Sequence, residues 1–341
     1  MHLTFDHEAV GRASCGSEPA FRYTPGSDIP KDLFNGNLYS HTAYRAAHGH
    51  DNPVLSHPAG IEPALFSDKR SHLVHLGRLD VLTTEALLAH AAGLFDRTRA
   101  RFILFEDIRL ISSTADRTTR LHAFRFKANW RRSVPPDGRF LTGKRASDLR
   151  RKARRLDAYV GGKGTDLVFE RCGPETLDAI TALNRERVES TGRTYRLTEA
   201  KQAALQKVCA EIGYATLLRF DDELIAGTVV CMAGRRGYVL VLGHDRRFEK
   251  FSPGLQAMAF TLQELRARGC TEVNFLWGDS RWKSDFGAVR EELTTVLVRR
   301  NAWSLVSKDL GMTALPLVWD VAKASARPHV DRLRDALAAS R

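Results

Sequence analysis

Cysteine, methionine and tryptophan are scarce in this 341-residue chain, and acidic side chains are outnumbered by cations. The five cysteines (Cys15, Cys172, Cys209, Cys231, Cys270) form no CxxC pair, so neither a zinc site nor a disulfide framework is expected, and reduced thiols in the cytoplasm are the simplest expectation. No apolar run is long enough to cross a bilayer. The opening residues Met1 to Glu8 lack a basic stretch followed by an apolar core, so a soluble protein, or one peripheral to the inner face of the cell membrane, is expected. No serine stands in a nucleophile-elbow pattern, and no clear internal repeat is found.

What is present suffices for two cores: 43% of the residues are hydrophobic. Residues 1–60, rich in Gly, Pro, Ser and His, read as an irregular arm with one short helix around His41 to Ala47. In segment 61–160, Leu73 to Leu76, a helix over Thr84 to Arg97 and Phe102 to Phe105 form a β-α-β unit, followed by a strand from Leu121 to Phe126. Segment 165–312 follows the Gly161 to Gly164 punctuation with a strand at Asp166 to Glu170, helices over Pro174 to Glu189 and Glu199 to Ile212, and a strand from Tyr214 to Phe220. Segment 313–341 reads as an amphipathic basic tail that either touches a membrane or packs across the second unit.

Of the formal net charge of +12, a surplus of ten falls between Arg125 and Arg155, where twelve Lys and Arg face Asp137 and Asp148. A helix over Ser147 to Leu156 turns Leu149 and Leu156 inward and spreads its cations over the remaining surface. Three readings stay open: a solvated face, a patch for acidic lipid headgroups or carrier phosphates, and a tRNA surface.

The stretch Ile225 to Gly287 carries most of the chemistry. Ile225 to Met232 and Gly237 to Gly243 are β-branched runs about a basic turn, which predicts an antiparallel hairpin. The loop from Asp245 to Gly254 leads into Leu255, Met258, Ala259, Leu262 and Leu265 at helical spacing, closed by Gly269, and Thr271 to Trp277 reads as the next strand. Strand, helix and strand predict a parallel pair. Free amides at the helix start, its dipole and the cations Arg246, Arg247 and Lys250 suit an anion; Ser252 suits the helix cap and Gly254 a close approach of backbone to ligand. An ordinary capped helix beneath a solvated basic loop is the alternative.

This order of elements, together with Asp245, Phe251-Ser252-Pro253-Gly254, Phe275-Leu276-Trp277-Gly278-Asp279 and Trp282-Lys283-Ser284-Asp285-Phe286-Gly287, resembles the GNAT-fold acyltransferases. Within them it is most similar to the branch of the cellulose-biosynthesis acetyltransferases, related to the Fem-type aminoacyl ligases. The match covers roughly Leu149 to Arg300. The loop lacks the multi-glycine phosphate signature, and Asn274 stands where that branch often has an acidic residue. The resemblance implies an α/β (α+β) fold of two tandem GNAT-like domains, each a mixed central sheet flanked by helices, with a short helical C-terminal tail. The first domain is the degenerate one.

It also implies a reaction. Acyl transfer needs a base for the acceptor, donors for the oxyanion and an acid for the leaving thiolate. In the GNAT fold acceptor and thioester meet where the two central parallel strands splay, which here points to His244, Asp245 and Asp279. His244, with an ordinary pKa near 6.5, is the first choice of base; Asp245 orients it, acts itself, or is structural. Lys283 stabilises the carbonyl or carrier phosphate, or is a surface lysine. Backbone amides near Leu240 to Leu242 form the oxyanion site; Tyr195 or Tyr238 protonates the thiolate or is a core ring; Glu186 is a further candidate for acceptor contact. The donor is acyl-CoA as co-substrate, with no tightly bound cofactor, or an acyl carrier protein. The acceptor is an amine-bearing lipid, such as a sphingoid base in a ceramide synthase-like reaction, or a saccharide. A tRNA-dependent aminoacyl ligase and an idle assembly module are the alternatives.

Overall fold

The computed structural model describes residues 21–24, 36–50, 53–69, 72–111, 121–141, 143–161, 164–278 and 280–300. The basic tail at 313–341, Asp279 and most of the first 35 residues lie outside the described residues. In chain order the first part holds β1 (Phe21–Thr24), α1 (Thr42–Ala47), β2 (Pro53–Pro58), β3 (Ala64–Asp68), β4 (His72–His75), β5 (Val81–Thr83), α2 (Thr84–Arg97), β6 (Phe102–Ile111), β7 (Leu121–Ser133) and α3 (Gly143–Tyr159). The second part holds β8 (Asp166–Arg171), α4 (Pro174–Glu189), α5 (Glu199–Ile212), β9 (Gly213–Phe220), β10 (Glu223–Ala233), β11 (Arg236–His244), a 3-10 turn (Arg246–Phe251), α6 (Pro253–Ala267), β12 (Glu272–Leu276), α7 (Arg281–Asp285) and β13 (Val289–Arg299).

The class is as expected, a mixed α/β fold whose sheet is flanked by helices. One sheet runs through the molecule in the order β1-β2-β3-β4-β6-β13-β7-β12-β11-β10-β9-β8, with β5 paired to β6 off this path. Both predicted crossovers are parallel: β4 pairs with β6 around α2, and β11 with β12 around α6. The division at 160/165 is not mirrored by a break in the sheet, because β7 pairs antiparallel with β12 across it. Moreover β13, from the second part of the chain, inserts between β6 and β7, antiparallel to both. Leu293, Val296, Leu297 and Val298 are almost wholly buried there. Among the first 60 residues, α1 lies where the short helix is expected, but Pro53–Pro58 is a strand, its partner β3 supplying the hydrogen bonds that its sequence does not advertise.

Helix α2 forms because Thr83 caps it, accepting from the Ala86 amide, and because Leu87, Ala91 and Leu94 fall on one buried stripe. Helix α4 begins with Pro174 at its first turn and buries Leu177, Ile180 and Thr181 against β10 and β11. Its approach depends on Gly243, where a Cβ would stand 2.5 Å from the Ile180 carbonyl oxygen. The basic helix spans α3, with Leu156 fully buried and Lys144, Arg145, Arg150, Arg151, Arg154 and Arg155 exposed.

Candidate active site

Strands β11 and β12 pair only from Arg236 to Tyr238 and from Glu272 to Asn274, after which they diverge. On its other edge β11 carries a bulge: Val229 faces Val241 and Val230 faces Val239, leaving Leu240 as the extra residue. A bulge bends a strand and re-aims its peptide groups. The result is a cleft of about 860 Å³ lined by Val239 to Leu242 of β11 on one side and Phe275, Trp277 and Lys283 on the other. The peptide groups of Leu240 to Leu242, expected as the oxyanion site, therefore border this opening. A second cleft of about 680 Å³ shares Leu197, Leu205, Leu240 and Trp277 with the first and extends to Tyr39, Tyr44, His75, Arg78 and Glu106 of the N-terminal part.

His244 ends β11 and lines the first cleft. Burial pushes its pKa below the ordinary value, and the Arg187 guanidinium pushes the same way against weaker pulls from Glu249 and Asp245. Its ring is thus neutral near pH 7 and able to accept a proton. It packs on the start of α6: a Cβ on Gly254 would lie 3.1 Å from His244 Nδ1.

Asp245 is turned elsewhere. Its carboxylate caps the 3-10 turn by accepting from the Arg247 amide at 2.8 Å and from Arg247 Nε at 2.9 Å. Burial alone would raise its pKa, but these bonds hold it below the ordinary value. It is not among the residues lining the cleft, so the geometry gives it a structural role. The same turn sends Phe248 and Phe251 into a core with Leu156 and Ile225, which leaves Arg246, Arg247 and Lys250 on its outer side. Arg247 is spent on Asp245 and Glu223, and the Lys250 ammonium lies 4.4 Å from the centre of the Tyr159 ring. None of these three cations lines the cleft, unlike Ser252 and Gly254, which do.

Ser252 adopts a left-handed conformation (φ 54°, ψ 50°), which is uncommon outside glycine and strained for a residue preceding proline. Its side chain does not cap α6; instead its Oγ accepts from Lys152 Nζ of α3 at 3.1 Å. The cation beside the helix start is therefore Lys152, which sequence reasoning passed over as one of many in α3. Three arginines that the sequence leaves among many, Arg187, Arg193 and Arg196, line the cleft. The inward stripe of α4, Leu177, Ile180 and Thr181, continues as Asn184, Arg187 and Val188, so polar groups occupy positions whose period demands burial. Asn184 Nδ2 donates to the Leu242 carbonyl at 2.6 Å, and Arg187 has a buried Nε without a partner among the described residues. Burial and the neighbouring Arg193 lower the Arg187 pKa. Glu186, one position off the stripe, is exposed and faces no cleft.

Lys283 is buried at 4% exposure, and its ammonium donates to the carbonyls of Phe275, Leu276, Trp277 and Gly278 at 2.7–3.1 Å. It fastens the turn after β12, where Leu276 has the strained φ of 54°. These carbonyls hold the ammonium in the wall of the first cleft. Tyr238 is 1% exposed and lines neither cleft, being packed against Tyr39, so it is a core ring. Tyr195 lines the first cleft and donates to the Thr181 carbonyl at 3.3 Å. Among the described residues no group of side chains could hold a metal ion, and no helix is long and apolar enough to cross a membrane.

Splayed parallel strands, a bulged β11 and a helix start facing the splay mark this cleft as the candidate site. The acetyltransferase (GNAT) domain family matches residues 143–284, from α3 into α7. Among solved structures, FemX resembles the chain over 84% of its length and 99% of its own, at 12% identity and a TM-score of 0.57. A conserved protein of unknown function from Bacteroides thetaiotaomicron VPI-5482 covers 79% of the chain and 92% of its own, at 12% identity and a TM-score of 0.50. L-PGS from Bacillus licheniformis covers 83% and 91%, at 14% identity and a TM-score of 0.48. No curated protein matches the chain.

Proposed function

We propose that this protein is an N-acyltransferase that moves an acyl group from a thioester donor of the acyl-CoA type to an amine of a lipid or envelope precursor. The observation that carries this reading is the splay at Leu240, where a cleft lined by the start of α6 and the arginines Arg187, Arg193 and Arg196, with Lys152 touching Ser252 at its edge, meets a second cleft reaching into the N-terminal part. The donor's phosphates suit the start of α6, with its free amides and Lys152. The acceptor suits the second cleft, whose aliphatic wall and tyrosines favour an amphipathic molecule such as a sphingoid base over a free saccharide.

In the step, the amine nitrogen attacks the thioester carbonyl carbon and His244 accepts the proton that nitrogen loses. The oxyanion develops against peptide N–H groups of Leu240 to Leu242. As the amide forms, the carbon–sulfur bond breaks, and the electron pair leaves on sulfur, which takes a proton from Tyr195 or solvent. A tRNA-dependent aminoacyl transfer is the second reading, favoured by the exposed arginines of α3.

Calorimetric titration with acetyl-CoA, palmitoyl-CoA and free CoA tests the donor. Binding with a gain for the long chain supports this reading; absence of binding to all three removes CoA as the donor and leaves a carrier protein, aminoacyl-tRNA or an idle module.

A further inference from the structure

We infer that the donor acyl group arrives on an acidic carrier protein docked on α3, the acyl-phosphopantetheine arm passing into the first cleft. This rests on the acyltransferase reading and names the donor for it. Helix α3 carries its cations on adjoining stripes: Arg150 and Arg154 on one, Arg151 and Arg155 on the next. Arg151 and Lys152 are engaged by Asp148, and Arg145 by Asp285 of α7. Arg150, Arg154 and Arg155 are exposed and form no ion pair among the described residues.

The position of this face matters as much as its charge. Lys152, from the inner side of the same helix, touches Ser252 at the start of α6. At the far end Tyr159 meets Lys250 and Phe251 of the 3-10 turn, so Lys250 and Arg246 extend the basic face along the donor side of the splay. A protein held there has its prosthetic phosphate beside the amides that open α6, and a flexible arm spans the distance to Leu240. Charge complementarity of this kind steers association and fixes register.

Two other anionic partners fit less well. A helix that enters a lipid surface needs an exposed apolar face. Here Leu156 and Val160 are buried and Leu149 half-buried, which leaves Tyr159 as the large apolar ring exposed on α3. A nucleic acid end held without base pairing needs rings for stacking, and this face has that single tyrosine, which also contacts Lys250.

The test compares binding of a palmitoylated acyl carrier protein with palmitoyl-CoA, by calorimetry at low and high salt, for wild type, an Arg150→Glu/Arg154→Glu/Arg155→Glu variant and the milder triple Gln variant. Wild type is expected to bind the palmitoyl carrier protein about tenfold or more tighter than palmitoyl-CoA, with an advantage that salt erodes. The Glu variant is expected to lose that advantage while holding palmitoyl-CoA within about twofold, and the Gln variant to fall between. Three results overturn the inference: palmitoyl-CoA binding without carrier protein binding; carrier protein affinity indifferent to the arginines; or arginine-dependent binding of tRNA or phosphatidylglycerol vesicles in place of the carrier protein. Binding of neither palmitoyl donor by wild type overturns the acyltransferase reading itself.

Discussion

At the scale of single residues, His244 and Lys283 illustrate two fates of a polar side chain near a cleft. His244 is partly buried, kept neutral near pH 7 by burial and open to the first cleft, so its replacement by Ala removes the proposed base while sparing the core. Turnover is expected to fall roughly a hundredfold or more, with donor affinity nearly unchanged. A variant within a few fold of wild type would hand proton removal to water or another group. Lys283 offers the contrasting case. Replacing it with Met leaves four carbonyls without their shared donor around a strained Leu276, and each orphaned buried polar group costs about 1–3 kcal/mol. A clear drop in thermal midpoint is expected. A Lys283→Met protein that melts like wild type but fails in turnover would return this lysine to the chemistry.

At the scale of elements, the entry to α6 carries the donor argument. Gly254 sits where any Cβ crowds the His244 ring, so Gly254→Val is expected to displace the imidazole and close the backbone approach. Donor affinity should drop about tenfold or more while the melting curve keeps its cooperativity; unchanged affinity would remove the start of α6 as a phosphate site. Much of this element was legible in the chain, because the continuous β-branched runs of β10 and β11, buried on both faces over most of their length, and the 3.6-residue stripe of α6 are local patterns. What was not legible depends on distant partners. Nothing in the run from Asp245 to Gly254 announces that Lys152, 100 residues away, supplies the cation, nor that Asp245 turns to its own Arg247. Likewise nothing in the Thr294-Thr295-Val296-Leu297-Val298 run of β13 names β6 and β7 as its neighbours, which are chosen by the sheet as a whole.

At the scale of the whole molecule, β13 makes the two parts one folding problem. It also closes a polar knot: Asp107, 1% exposed on β6, accepts from Lys127 of β7 at 2.8 Å, while its amide donates to Thr295 of β13. Val296→Asp would set a charge between β6 and β7 at a site with no exposure. A buried unpaired carboxylate costs several kcal/mol, so both parts should unfold together. Survival of donor binding and of a second melting transition would show that the C-terminal part stands alone.

Acid should reach the same cooperative structure by another route. Burial pushes His75 down to about 3 and His90 to about 4, and His41, His50, His122 and His244 are lowered as well. A histidine lowered on folding binds its proton more readily in the unfolded chain. Its contribution is therefore complete above the unfolded value of about 6.5 and is lost as pH falls toward the folded value. Asp80, raised by burial to about 6, works in the opposite direction between that value and the ordinary carboxylate range. One carboxylate does not offset six imidazoles. The thermal midpoint is accordingly expected to fall between pH 7 and pH 5, and to fall less in His90→Asn, which cannot take up the proton. A flat profile over that interval would mean that these histidines meet water in the native state.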